Sequence, residues 1–562
     1  MLRSDVFPCA SHQPNLSKSA IKINWTNDLI ENKVLCSQSR HCHCKPSNAQ
    51  EYLHGEDVVN QWAEPPAPTR TLVEARLTSA PSDLMVKYFE RPHLERELLQ
   101  FHEYLQVDIA HTIMLAEQGI LEPTHARLIL STLQDIVALG PESFPIDPMR
   151  GSFLLQVESY LFQQIGEAVG GRMHTGRSRL DQGPTVRRLY KRRLLLDTFN
   201  LIIRLQDALL DLASRHVGTL MPGYTCMQHA HPTNFGHYLL SFSTKLSDDF
   251  DRLRSAFTRL NLNPLGAAGL SGTAWPINRQ RTTELLAFDG IIANAKLARE
   301  AYYAAEVASA LSFVMSTLND LATDLHLWSA HEFAFVETAD AFCGTSSIFP
   351  QKKNPAGLEV VKFAAGGATT WLTTALATFR AEGTGDVVMR ELPLLDKAFA
   401  DTNGCLDLMT GMIESLTVHE NRMARAAESN WSTATSLADR IVHSSGLSFR
   451  EAHSLVARLV RLCSERDVSR DGVTAELLSE AARELNVADP GLSSAVIRES
   501  LDARAFVSSR TSSGGTAAAE TMSLLEDART VVGEQSTWLQ ARRAQIATAA
   551  TMRASSAAQW SG

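Results

Sequence analysis

Residues 301–330 read AYYAAEVASALSFVMSTLNDLATDLHLWSA, and this stretch decides the fold. Val307, Leu311, Val314, Leu318, Leu321 and Leu325 step alternately by four and three, which is a sustained heptad seam. Phe235, Tyr238, Phe242, Leu246, Phe250, Leu253, Phe257 and Leu260 give a second seam, and Leu195, Phe199, Ile202, Leu205, Leu209 and Leu212 a third. Helices this long can bury apolar stripes only by lying side by side, so the spacing predicts an all-α protein built on a long bundle. Gly366-Gly367 on a fourth helix predict close helix approach. Outward from the bundle, helical patterns run through Leu84–Leu139, with punctuation at Gly119 and Pro123, and through Phe153–Ile165. Further helices are predicted over Thr433–Ser444, Ser448–Glu465, Thr474–Leu485 and Met522–Ile546. No segment alternates convincingly like a strand.

A chain of 562 residues with 44% apolar content can bury several cores, so two to four domains are expected. The net charge of −9 argues against a nucleic-acid partner. No apolar run approaches bilayer length, so no membrane partner is expected. Arg3 and Asp5 without an apolar core segment do not read as a secretory signal, and a cytoplasmic location is the default. Eight cysteines do not make a disulfide scaffold. His41-Cys-His-Cys44 is spaced too tightly for the usual zinc pairs. Residues 1–70 mix Ser, Asn, His and Pro without periodicity and are expected to form a flexible extension. No phosphate-binding glycine loop and no metal-ligand set stands outside that tail, so neither cofactor nor metal is expected.

The first long helical pattern leads directly into Ser346-Ser-Ile-Phe-Pro-Gln-Lys-Lys-Asn-Pro355. Two hydroxyls, two cations and an amide on one short loop suit chemistry on a carboxylate: a hydroxyl can take a proton and a lysine can hold a developing anion. The decapeptide resembles the signature loop of the fumarase/aspartase superfamily, in its argininosuccinate lyase branch. His174-Thr-Gly-Arg-Ser-Arg-Leu-Asp-Gln182, Met221-Pro-Gly-Tyr-Thr-Cys-Met-Gln228, Asn263-Pro-Leu-Gly266 and Gly514-Gly-Thr-Ala517 resemble further segments of that branch, in the same order. The resemblance runs from about Arg76 to about Arg543. It implies a three-domain, all-α fold. An N-terminal helical domain is expected over 71–175, the central bundle over 176–426 with the loop at 344–355, a small C-terminal domain over 427–545, and a frayed tail over 546–562. It also implies a homotetramer whose active sites are each built from three subunits, acting on a small-molecule succinyl adduct or fumarate.

Carried over residue by residue, the resemblance makes Ser346 the catalytic base and Lys352 the grip on the substrate carboxylate and its carbanion form. Ser178, Arg179, Thr225, Gln228 and Asn354 become substrate contacts, and Glu359 the buttress of a catalytic histidine. Read alone, each has a plainer role: Ser346 would cap a turn, Ser178 a helix start, and Lys353 and Glu359 would be surface charges.

Several positions depart from the branch. Cys226 stands where the branch has its catalytic histidine, and a thiol cannot reproduce the imidazole's charge switch near neutral pH. His229 and His231 on the same segment are candidate substitutes. Leu180 replaces an asparagine, Thr345 a glycine and Phe349 a methionine, and Leu154 falls near a further histidine position. Gly383–Lys397 lacks the polar run expected to hold the arginine half of argininosuccinate. The succinate side is thus kept and the leaving-group side altered. The expected function is a carbon–nitrogen lyase that eliminates fumarate from an N-substituted succinate, or runs the reverse addition, with a changed amine pocket. A genuine argininosuccinate lyase of arginine biosynthesis, and a catalytically inactive structural or regulatory homologue, are the two alternatives.

Overall fold

The computed structural model describes residues 79–378 and 392–561. The expected extension over 1–70, including His41–Cys44, and most of the divergent Gly383–Lys397 stretch lie outside the described residues.

The three seams are the interior of one bundle formed by the helices Arg179–Arg215, Phe235–Leu260, Tyr302–Ser329 and Pro393–Glu414. Every residue of the 307–325 seam is at most 1% exposed. The other two seams are buried in the same apolar cluster, apart from Tyr238. That side chain is packed at the margin, where its hydroxyl donates to Asp324 Oδ2 at 2.8 Å. Because Tyr238 opens one helix and Asp324 closes another, while Arg259 pairs with Glu306 at their other ends, these two helices are antiparallel. Lys191 with Asp396, Thr198 with Asn403 and Arg204 with Asp407 set the Pro393–Glu414 helix parallel to Arg179–Arg215. Residues 216–234 and 330–355 therefore leave the bundle at one end, and Ser178 enters it at the other.

Buried arginines fasten that entry end. Arg188 donates to the carbonyls of Arg259 (2.7 Å) and Leu260 (2.9 Å), and Arg192 to those of Ala287 (2.8 Å) and Leu286 (3.0 Å). These are the orphan carbonyls of two helix ends, where a cation is favoured. Arg553 does the same for Leu285, and burial pushes the Arg192 and Arg553 guanidinium groups down to about 10.

A second apolar cluster lies around Phe101, Leu130 and Phe153, and a third around Leu437, Leu459 and Ile497. The observed helices Phe153–Ile165, Ala434–Ser445, Phe449–Glu465 and Ala475–Leu485 sit within a residue of the predicted ones. Two expectations need correction. The C-terminal segment does not fray over its described residues, 546–561: one helix runs Ala518–Ser561. Ala549 and Ala557 are buried along it, and Met552 and Trp560 pack on the Phe101 cluster. Alanines that looked like a loose tail favour helix and allow close approach. Strand pairs also exist. Leu220–Thr225 and Gln228–Asn234 form an antiparallel hairpin whose pattern is disguised by Pro222, Gly223 and Pro232. Nothing among the described residues lies within 4 Å of where a Cβ would stand on Gly366 or Gly367, so no close helix contact is made there among the described residues of one chain.

Candidate active site

The site residues lie on three segments. At the entry end, Ser178 caps the Arg179–Arg215 helix in a capping box: its Oγ accepts from Leu180 N at 3.2 Å, and Asp181 Oδ1 accepts from Ser178 N at 2.7 Å. Asp181 is buried, and its Oδ2 accepts from Gly266 N and Ala268 N, both at 2.8 Å, so the 263–266 motif is tied to the clamp. Burial pushes the Asp181 carboxyl above the ordinary range, against three backbone N–H donors. Arg177 is wholly buried against Asp108, with Nη1 at 2.6 Å from Oδ1, and Gln182 Nε2 donates to the same oxygen. Gly176 adopts φ +75°, and a Cβ there would stand 2.9 Å from Ile277 Cγ2, so only glycine fits. Arg179 is exposed at the first helical position and Leu180 half-buried. Within Arg177-Ser-Arg179, one arginine holds the fold and the other faces outward. Leu154, at 2% exposure, is a buried residue of the Phe153–Ile165 helix.

At the opposite end, Thr225, Cys226, Met227 and Gln228 are all exposed at the hairpin tip, with Thr225 paired to Gln228. Cys226 (φ 52°) and Met227 (φ 59°) are both left-handed, as a two-residue primed turn requires, at a cost of about 1–2 kcal/mol each for side chains with a Cβ. His229 packs against Tyr224, ring centroids 5.0 Å apart. His231 Nε2 bonds Thr435 Oγ1 at 2.9 Å, and its ring lies 4.9 Å from Phe506. Burial and Arg510 hold His231 below the ordinary imidazole range. Its contacts join the hairpin to the C-terminal helices.

The signature loop leaves the bundle at the hairpin end. Gly344 pairs with Asn354 and Thr345 with Lys353, pinching its base. Ser346 Oγ accepts from Ile348 N (3.3 Å) and Phe349 N (3.1 Å). In this arrangement the oxygen caps a turn. Ile348, at 74% exposure, and Phe349, at 51%, point away from any core. The two lysines differ. Lys352 is exposed, while Lys353 Nζ sits 2.8 Å from Glu337 and 2.6 Å from Asp340, which raise its pKa and anchor the loop. Asn354 is half-buried. Glu359 has a histidine that sequence reasoning missed: His326 Nε2 lies 4.0 Å from Glu359 Oε1. A helix-spaced pattern cannot reveal this pair, because it forms between two helices.

The loop and the hairpin tip share one end of the bundle, while Ser178 and Arg179 stand beyond a helix of 37 residues, about 55 Å at 1.5 Å per residue. Among the described residues no group of three or more metal-ligating side chains occurs, and no helix is long and apolar enough to cross a membrane.

This arrangement has known counterparts. Residues 77–369 match the Lyase family model, and 431–508 the argininosuccinate lyase C-terminal model. Argininosuccinate lyase 1 of Shouchella clausii is 34% identical over 452 residues, covering 79% of this chain and 90% of that protein. Argininosuccinate lyase of Methanosarcina acetivorans is 35% identical over 483 residues, 85% of this chain and 95% of that protein. Among solved structures, EDDS lyase in complex with formate aligns with a TM-score of 0.78 at 33% identity, over 86% of this chain and 97% of that one. An EDDS lyase variant with bound fumarate aligns at 0.77. The 3-carboxy-cis,cis-muconate lactonizing enzyme of Pseudomonas putida shares the fold, at a TM-score of 0.61 and 20% identity. The chain belongs to the fumarase/aspartase superfamily, in its argininosuccinate lyase-like branch, and is a carbon–nitrogen lyase of the fumarate-releasing elimination type.

Proposed function

We propose that this lyase acts on an N-substituted succinate whose amine half differs from that of argininosuccinate, in either direction of the reaction. The observation that carries this reading is Cys226. It is exposed at a hairpin tip between Thr225 and Gln228, where the branch places an imidazole. Leu180 at the helix start removes a further polar group, and an amino acid head left unpaired beside apolar groups is costly to bury. The solved structures titled EDDS lyase, one of them with fumarate, support a non-argininosuccinate amine within this fold. The relatives named argininosuccinate lyase support the plainer reading.

In this reading Ser346 removes the carbon-bound proton, Lys352 and Asn354 hold the resulting carbanion's carboxylate, and Ser178, Arg179, Thr225 and Gln228 clamp the remaining polar groups. One chain cannot bring Arg179 to its own loop, so copies share each site. Phe363 at 88%, Val360 and Phe313 at 50% and Leu376 at 47% exposure leave an apolar face on the bundle, which supports a homotetramer with these helices at its centre. Gly366 and Gly367 lie on that face, open to a second copy. Mass-spectrometric detection of fumarate across a panel of N-succinyl adducts tests the substrate. Release from at least one adduct with argininosuccinate a poor substrate is expected. Ordinary argininosuccinate cleavage by the wild type contradicts the altered pocket.

A further inference from the structure

Breaking a carbon–nitrogen bond sends its electron pair to nitrogen, and a poor leaving amine must be met by a proton. Ser346, charged with removing a proton, cannot also supply one at the same moment. Among the described groups at the hairpin end, most candidates are committed elsewhere. Lys353 is locked between Glu337 and Asp340. His229 lies edge-on to Tyr224 with its Nδ1 buried away from solvent, and His231 is bonded to Thr435. His419 lies 3.7 Å from Glu337 and lines a separate groove with His331. The Cys226 thiol has no cationic acid form.

His326 is placed differently. It stands in the last turn of the Tyr302–Ser329 helix, facing the first turn of the helix that follows the signature loop. Its Nε2 lies 4.0 Å from Glu359 Oε1, beyond hydrogen-bond reach, so the carboxylate orients the ring without holding its proton. Its Nδ1 lies 3.4 Å from Lys362 Nζ. An ammonium only donates, so Nδ1 is the acceptor and the ring proton sits on Nε2. Glu359 and Lys362 are the charged groups facing the ring from that helix. Asp324, on its own helix, is held by Tyr238. The His326 side chain is 32% exposed and that of Glu359 58%, so neither is sealed within its own chain.

We propose that His326, oriented by Glu359 and backed by Lys362, is a further catalytic residue that delivers the proton to the leaving nitrogen. The carbon–nitrogen bond breaks with its pair going to nitrogen. As Nε2 gives that nitrogen its proton, Nδ1 takes one from Lys362, which leaves a neutral lysine amine and the ring in its other neutral tautomer. The proton on the neighbouring carbon goes to the Ser346 oxygen in its alkoxide form, which becomes the hydroxyl, and the carbon's electron pair becomes the double bond of fumarate.

This inference rests on the signature loop being the reacting loop. The test uses the full-length protein and the N-succinyl adduct that it turns over best. His326→Gln and His326→Leu are each expected to lower kcat about 10²–10³-fold with KM little changed, and to flatten the limb of the kcat–pH profile that requires a protonated group. Adding Cys226→His to His326→Leu is expected to recover at least part of the loss. Unchanged kcat and pH profile in both variants overturns the proposal. So does a loss of kcat with the profile intact and no recovery from Cys226→His, which marks a structural role. A wild type that releases no fumarate from any adduct instead removes the functional reading beneath it.

Discussion

The two ends of the Arg179–Arg215 helix are built in opposite ways. At the entry end the backbone is over-determined: Arg177 is buried on Asp108, Asp181 takes three backbone donors, and Gly176 fits where no other residue could. Arg179 projects from this rigid mount. At the hairpin end the chemistry-bearing groups stand on exposed turns. There Ser346 is occupied as a cap, Cys226 and Met227 are in left-handed conformations, and the loop base is moored by the Lys353 pairs. In the proposed reading, the substrate contact Arg179 stands on the fixed end and the base Ser346 on the exposed loop, which suits an elimination, since the carboxylate must be held while the base acts.

The largest effect is expected at the exposed end. Ser346→Ala should lower turnover by about two to four orders of magnitude while largely sparing binding, with Ser347→Ala milder; steady-state kinetics check this. Equal, mild effects would remove Ser346 from its role. The fixed end should answer in stability instead. Asp108→Ala strands the buried Arg177 charge and should cost about 3–5 kcal/mol in denaturant unfolding, whereas Arg179→Ala should leave the unfolding midpoint nearly unchanged and raise KM. Similar stability losses from both would erase the contrast.

A smaller effect separates the ends by pH. His231 has its folded pKa lowered, so the unfolded chain binds the proton more readily. The associated stability is full above the unfolded imidazole value of about 6.5 and is lost as pH falls below it toward the folded pKa. Thermal melts between about pH 7 and 5 should fall less steeply in His231→Gln than in the wild type. An unchanged slope would mean the hairpin joint does not titrate.

What could be read from the sequence follows the range of the interactions. Heptad seams are local in spacing, so Val307–Leu325 and its two companions marked the core directly, and the helices predicted from Ser448 and Thr474 begin within a residue of the observed ones. The motif segments named the lyase branch. Contacts between elements were not legible. Nothing in the spacing tells that Arg177 is buried while Arg179 is exposed, that Lys353 is moored while Lys352 is open, or that His326 meets Glu359. His231 looked like a substitute for the imidazole missing at Cys226 until its bond to Thr435 placed it in a domain joint. The Ala/Ser-rich C-terminus read as frayed because its partners lie some 270 residues earlier in the chain, as when Arg281 reaches Ser556.

The central claim is that one chain carries all the parts and cannot assemble them alone, because the clamp and the loop lie at opposite ends of a 37-residue helix. Complementation measures this directly. Arg179→Ala and Ser346→Ala proteins, each assayed at a substrate concentration where it turns over poorly, are unfolded together, refolded as mixed oligomers and assayed for fumarate release. Recovery of turnover, absent from either protein refolded alone, is the predicted result, because some sites then receive a native arginine from one chain and a native serine from another. Mixed oligomers shown by mass spectrometry to contain both chains, yet without activity, would contradict it.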